Sequence, residues 1–222
     1  MATMTLAQDR ASQTRRANDV INRALRQPTD AHLREVVGLR TTAGVASLAA
    51  ERVRRRGTLL AGRERKGRAQ IQEARDRVIL AIYADATPAG WYTAWCDGSV
   101  AADRRAGAGI GGLVMDPAGR IVAEFAHSIP DLAPFEAEIA ALAETLRVAR
   151  AHGAQRLRVY TDCDALARAW QRQRDDPRLH VVAALVRASR RFELRALRRL
   201  HNQPAHRLAK TGVRAAAAAP NV

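Results

Sequence analysis

The chain has 222 residues, 37 Lys and Arg against 22 Asp and Glu, a formal net charge of +15, and two cysteines. Such a length accommodates one full domain with an appendage, or two small domains, with enough core to fold without disulfides. Two cysteines without C-x-x-C spacing exclude a disulfide framework and a zinc ribbon, and the longest apolar run, residues 78–83, is far short of the ~20 residues of a membrane span.

Lys66 and Lys210 are the only lysines, so the basic excess is almost all arginine. Guanidinium is planar, always charged and forks onto phosphate oxygens, which points to a nucleic-acid partner; the plainer alternative is a solvated basic surface. Residues 1–28 contain Asp9 and Asp19 and no apolar h-region follows. No secretory signal is expected, and a reducing cytoplasm is the expected location.

Residues 1–84 read as helical throughout, alanine- and arginine-rich with apolar residues three and four apart, as at Val20 and Ala24 or Val78 and Ile82. Breaks are expected at Pro28 and around Gly57 and Gly67. The stretch reads as a thin helical bundle, or as one that orders on a partner. Its arginine runs, Arg52 to Arg56 and Arg63 to Lys66, are either phosphate contacts or a solvated face. Residues 85–90, with Pro88 and Gly90, read as a linker, and eight of the nine aromatic residues follow it.

From Trp91 the periodicity changes. Residues 91–97, 108–115 and 121–129 read as three strands, the last two joined by the turn-forming Asp116-Pro117-Ala118-Gly119. Residues 133–151 are expected to be helical, 157–161 a fourth strand, 164–171 and 179–190 helices, 192–197 a fifth strand, and 205–213 a last helix. The order β-β-β-α-β-α-α-β-α implies an α/β domain with one five-stranded mixed sheet, preceded by an all-helical extension. Domain bounds are expected at 1–84 for the extension, 85–90 for the linker, 91–213 for the α/β domain and 214–222 for a disordered tail rich in alanine. The glycines of residues 107–112 fit G-x-G-x-x-G but lead into a strand, so close backbone packing is a better account than dinucleotide binding.

Two acids end apolar strands: Asp97 in Cys96-Asp97-Gly98-Ser99 and Asp162 in Tyr160-Thr161-Asp162-Cys163. Strand ends are where open α/β sheets place ligand sites, and parallel neighbours would set the two carboxylates ~5 Å apart. Charges that close repel unless one is protonated or a cation lies between them; the plainer alternative is a pair of turn aspartates. In the helix from residue 133, Glu138 lies about 60° from the apolar stripe and Glu136 about 100°, so Glu138 is the acid that leans over the sheet. Three carboxylates on one site favour Mg²⁺ or Mn²⁺ over zinc. Cys96 points away from Asp97, and both it and Cys163 read as structural thiols.

Asp97-Gly98-Ser99, the glycine-rich second strand, Ala137-Glu138-Ile139-Ala140-Ala141-Leu142, Tyr160-Thr161-Asp162 and the run from Asn202 to Ala209 resemble, in order and spacing, the ribonuclease H type I family. The resemblance spans residues 91–213 and implies a ribonuclease H-like fold. It implies endonucleolytic hydrolysis of the RNA strand of RNA–DNA hybrids by a two-metal-ion mechanism, with two Mg²⁺ or Mn²⁺ ions. It implies Asp97, Glu138, Asp162 and His206 as catalytic and metal-binding residues. Gly98, Ser99, Arg104, Arg105 and Asn202 are implied as nucleic-acid contacts. His206 stands where the family's last motif carries an acid: a working substitute, a shift towards Mn²⁺, or a lost ligand. Ala133-Pro134-Phe135-Glu136 replaces the polar residues that usually precede the helix glutamate. The alternatives are a non-catalytic nucleic-acid-binding or scaffold protein on a degenerate fold, and a DNA-acting nuclease of the same superfold. No membrane partner is expected; the N-terminal helices are expected to engage nucleic acid or another protein.

Overall fold

A computed structural model of the chain describes residues 2–43, 46–63, 67–101, 107–172 and 176–218. Arg104 and Arg105 lie outside the described residues, as do Glu64, Arg65 and Lys66. The chain divides into two compact units, Met1–Ala86 and Thr87–Val222. Among the described residues, no helix is long and apolar enough to cross a membrane.

The first unit comprises α1 (Ala2–Arg26), α2 (Asp30–Ala43), α3 (Ala46–Arg63) and α4 (Arg68–Asp85). Its core is made by Ile21, Ala24, Leu25, Val53, Ile71, Val78 and Ile82, all buried. The break at Pro28 is real, and Thr29 starts α2 by accepting a hydrogen bond from His32 N at 3.3 Å. The break expected at Gly57 does not occur, because α3 runs through it. A Cβ on Gly57 would lie 3.0 Å from Arg75 Cδ, so this glycine admits the Arg75 stem of α4 instead of ending a helix.

In the second unit, β1 (Tyr92–Val100), β2 (Ala108–Met115) and β3 (Ile121–Ile129) form an antiparallel meander. Asp116 shapes the β2–β3 turn: its carboxylate accepts from Ala118 N and Arg120 N, and Gly119 takes a φ of 78°. After α5 (Pro134–Ala151), β4 (Arg156–Thr161) adds parallel to β1; after α6 (Asp164–Arg172) and α7 (His180–Val186), β5 (Arg191–Ala196) adds parallel to β4. The strand order is β3-β2-β1-β4-β5, and α8 (Gln203–Ala218) closes the fold. The sequence-expected helix over 179–190 is a 3-10 turn followed by the shorter α7, because Arg190 N and Arg191 N are captured by Gln155 O as β5 begins. The last helix extends to Ala218, beyond the expected end at 213.

Alternation along the strands assigns the two faces of the sheet. Ala94, Cys96 and Ile110 pack with Ile139, Leu142 and Leu146 of α5, above the face that also takes α6 and α7. Trp95, Asp97 and Gly111 turn the other way, towards α8. Both helices touch the sheet at glycines. A Cβ on Gly98 would lie 2.5 Å from Ala137 C, and one on Gly111 would lie 2.5 Å from Leu208 C and run into Ala209 N.

Gly111→Ala therefore costs about 3 kcal/mol or more, at or beyond the upper end of ordinary overpacking because the obstacle is backbone. Gly38→Ala, in α2 with nothing within 4 Å of the new methyl, stabilises by ~0.5–1 kcal/mol. Urea unfolding of the two variants checks both signs.

Candidate active site

Asp97 sits on β1 opposite Gly111 of β2. The parallel β1–β4 pairing ends at Trp95 and Tyr160, so Asp97 in β1 and Asp162 just past the end of β4, each two residues on, stand at the same level. Asp97 is 2 % exposed; Asp162 and Glu138 are half-buried. Glu138 comes down from the first turns of α5, where Gly98 lets the helix close on β1, and its Oε2 accepts a hydrogen bond from Gly98 N at 3.2 Å. Glu136 is spent on Ala133 N at the start of α5, and Glu144 on Arg147. Glu138 is thus the glutamate of this helix that reaches the site.

The beginning of α8 supplies the remaining pieces. His206 is 9 % exposed and its Nδ1 lies 2.9 Å from Asp97 Oδ2. Asn202, expected among the nucleic-acid contacts, is fully buried. Its Nδ2 donates to Cys96 O at 2.9 Å and to Asp162 Oδ1 at 2.5 Å. It ties the β1 backbone to the Asp162 carboxylate, while its Oδ1 is buried without a hydrogen-bond partner. Ser99 is half-buried on β1, opposite Gly109.

The electrostatics are those of too much negative charge in too little water. Burial, then the charges of Glu138 and Asp162 and a hydrogen bond with Asp162, push the Asp97 carboxyl from its ordinary 3.8 up to about 8. Burial and the charge of Asp162 push Glu138 up to about 7, against the opposing pull of the Gly98 N–H and Arg199. Burial raises the thiols of Cys96 and Cys163, as inert structural thiols require. His206 is lowered by burial and by the positive charges of Arg199 and Lys210, which keeps the imidazole neutral.

Arg199 was not among the residues expected here. It lies in the 3-10 turn Arg199–His201 before α8, is exposed, and its charge is felt by Asp97, Glu138 and His206. The only sequence signal for it is the Arg198-Arg199 pair just ahead of Asn202.

Among the described residues, no three His, Cys, Asp or Glu side chains already form a cage for an ion. The donor set nevertheless fits a divalent cation. Three carboxylates from β1, the β4 end and α5 share one cluster of charge, with protons favoured on Asp97 and Glu138 in the place a cation would take. The unsatisfied Asn202 Oδ1 marks the same spot as incomplete.

Comparison with known proteins follows this geometry. The sequence-family description "Reverse transcriptase-like" matches residues 95–212. A search of curated proteins finds no match. Among solved structures, ribonuclease H1 from the halophilic archaeon Halobacterium salinarum is similar at 22 % identity over 57 % of this chain and 99 % of that one, with a TM-score of 0.51. The N-terminal ribonuclease H domain of a Mycobacterium tuberculosis protein, solved as a fusion with maltose-binding protein, is 25 % identical over 58 % and 97 %, with a TM-score of 0.52. LC11 ribonuclease H1, solved in complex with an RNA/DNA hybrid, is 19 % identical over 56 % and 98 %, with a TM-score of 0.50. All three share the fold of the second unit.

Folding holds protons on Asp97 and Glu138 at pH values where the unfolded chain releases them. That contribution to stability is whole below the ordinary carboxylate range and is lost as pH rises through about 7 and about 8. Metal-free protein, kept in chelator, will therefore lose urea resistance between pH 5 and 8.5. Asp97→Asn will flatten that slope and be the more stable chain at pH 8.5, and added Mn²⁺ will restore the wild type alone. Equal slopes in wild type and variant would remove Asp97 as the source.

Proposed function

The chain belongs to the reverse transcriptase-like family, with a ribonuclease H-like domain, and from that premise we propose that it is a metal-dependent endonuclease hydrolysing the RNA strand of RNA–DNA hybrids. One observation carries the reading: the carboxylates of Asp97, Glu138 and Asp162, from three separate elements, meet in one place, where burial and the other two charges push the Asp97 carboxyl up to about 8. A fold has no structural use for that repulsion, and a metal-assisted phosphodiesterase does.

Asp97, Glu138, Asp162 and His206 would hold the ions. Two divalent ions, when bound, would neutralise charge on the scissile phosphate and lower the pKa of a nucleophilic water. The chain's own groups do the positioning. Gly98 N–H orients Glu138, and Asn202 fixes Asp162 against β1. Arg199 sets a positive charge beside the carboxylates, suited to a neighbouring phosphate. Gly98 and Ser99, on the strand that bears Asp97, are proposed to meet the nucleic acid, with the 2′-hydroxyl as the feature that separates RNA from DNA. Exposed arginines of the helical unit, among them Arg15, Arg52 and Arg63, are proposed to add phosphate affinity. The histidine at position 206, where the family's last motif carries an acid, favours one rival reading, a non-catalytic nucleic-acid-binding or scaffold protein on a degenerate fold.

End-labelled RNA–DNA hybrid, duplex DNA and single-stranded RNA, each incubated with Mg²⁺ or Mn²⁺, separate the readings. Cleavage of the hybrid alone is expected. Asp97→Asn, Glu138→Gln and Asp162→Asn should each lose more than the ~10–100-fold expected of a supporting residue, the class to which Asn202→Ala belongs. Tight hybrid binding without cleavage would establish the non-catalytic reading, and preferential cutting of duplex DNA the DNA-acting one. Replacing Arg15, Arg52 and Arg63 by Gln should leave the cleavage rate at saturation unchanged and lower the slope of log Kd against log salt by up to ~2–3.

A further inference from the structure

We infer that His206 makes this a mixed nitrogen–oxygen metal site that selects Mn²⁺ over Mg²⁺, with the imidazole bound directly to the ion. The inference rests on the nuclease reading only in taking the carboxylate cluster for a metal site. It goes further in naming the ion selected and direct ligation by the imidazole as the cause of the selection.

His206 lies in the first turns of α8, the helix seated on Gly111, and it is nearly buried. Its Nδ1 is held 2.9 Å from Asp97 Oδ2. That is close to the ~3 Å spacing of neighbouring ligands around an octahedral ion with bonds of about 2.1 Å, and it turns Nδ1, not Nε2, towards the carboxylates. With the ring proton on Nε2, Nδ1 carries the lone pair, and an ion entering between Nδ1 and Asp97 Oδ2 takes the place of the proton they share. The Asp97 carboxylate then binds the same ion. Glu138 and Asp162 add further oxygens, and Asn202 Oδ1 is a buried acceptor in the same cluster with no partner.

The donor chemistry then decides between ions. Mg²⁺ demands near-octahedral oxygen ligands and gives up water reluctantly; its protein contacts are mostly ionic, and they weaken when a negative oxygen is replaced by a neutral nitrogen. Mn²⁺ accepts imidazole as well as carboxylate, and affinity for nitrogen-bearing sites rises from Mn²⁺ along the transition series. A site built only for Mg²⁺ has no use for a pinned imidazole against its central aspartate.

Pulsed electron paramagnetic resonance of Mn²⁺ bound to the full chain reads the inference directly, through the ¹⁴N modulation of a coordinated imidazole. Competition by Mg²⁺ for the same signal gives the selectivity. Wild type should show ¹⁴N coupling and require at least ~100-fold more Mg²⁺ than Mn²⁺ for half displacement, a preference resting on donor type. His206→Asp should lose the coupling and narrow that ratio by ~10-fold or more as oxygen replaces nitrogen. His206→Gln, which keeps a polar side chain without imidazole, should lose the coupling and remain poor for Mg²⁺. Absence of ¹⁴N coupling in wild type, or an Mg²⁺/Mn²⁺ ratio unmoved in His206→Asp, overturns the inference, as does failure of Mn²⁺ to bind. Hybrid cleavage without ¹⁴N coupling sinks this inference and leaves the nuclease reading standing. Coupling without cleavage of any nucleic acid does the reverse.

Discussion

Backbone-to-backbone contact at two glycines is the constraint on which the rest of this domain depends. Gly98 lets α5 rest against β1, and Gly111 lets α8 rest against β2. A methyl at either place would collide with main-chain atoms, which have no rotamer to escape into. Because both helices sit this low, the short side chains of Asp97 and Asn202 span the gaps between elements, and Glu138 and His206 meet groups on β1. A sheet with ordinary side chains at 98 and 111 would hold the same residues in the same order and leave them out of reach of one another. The glycine-rich texture of β2 is thus a specification of distance.

The second dependence is electrostatic. Mutual repulsion among Asp97, Glu138 and Asp162 is accepted by the fold because an extensive apolar core lies behind it: Trp95 stacks on Tyr160 with centroids 5.7 Å apart, and Leu113, Ala205 and Ala209 are buried. The protein holds Asp97 and Glu138 towards the protonated state, opposite to the one a cation needs, so an ion bound there would be taken up with release of protons. Arg199 moderates the same field from the rim.

Much of this was legible in the residues. β2 and β3 begin and end where alternation and the Asp116-Pro117-Ala118-Gly119 turn place them, because both strands are bounded by strong local turn chemistry. Asp97 and Asp162 were visible as acids ending apolar runs, and Glu138 by its angle from the apolar stripe of α5. What was not legible depends on tertiary partners. Gly57 reads as a helix breaker until the Arg75 stem is seen against it. The end of α7 is imposed by Gln155, more than thirty residues earlier in the chain. Asn202 is expected from the sequence as a nucleic-acid contact, and only the junction of three elements shows that its amide is internal. Arg199 is one arginine among many, and its proximity to the acids follows from the turn that precedes α8.

The uneven lengths of β1 and β4 have one further consequence. β4 ends at Thr161, while β1 continues to Val100, paired on that side only as far as Trp95. The next two main-chain groups along β1, the Cys96 carbonyl and the Gly98 amide, are nonetheless satisfied, the first by Asn202 and the second by Glu138. Side chains of the site thus take over where the β4 strand stops, as rungs in a ladder whose upright has run out. The candidate site is in this sense an extension of the secondary structure. Its residues carry a share of the sheet's cohesion, so selection for chemistry and selection for folding act here on the same atoms.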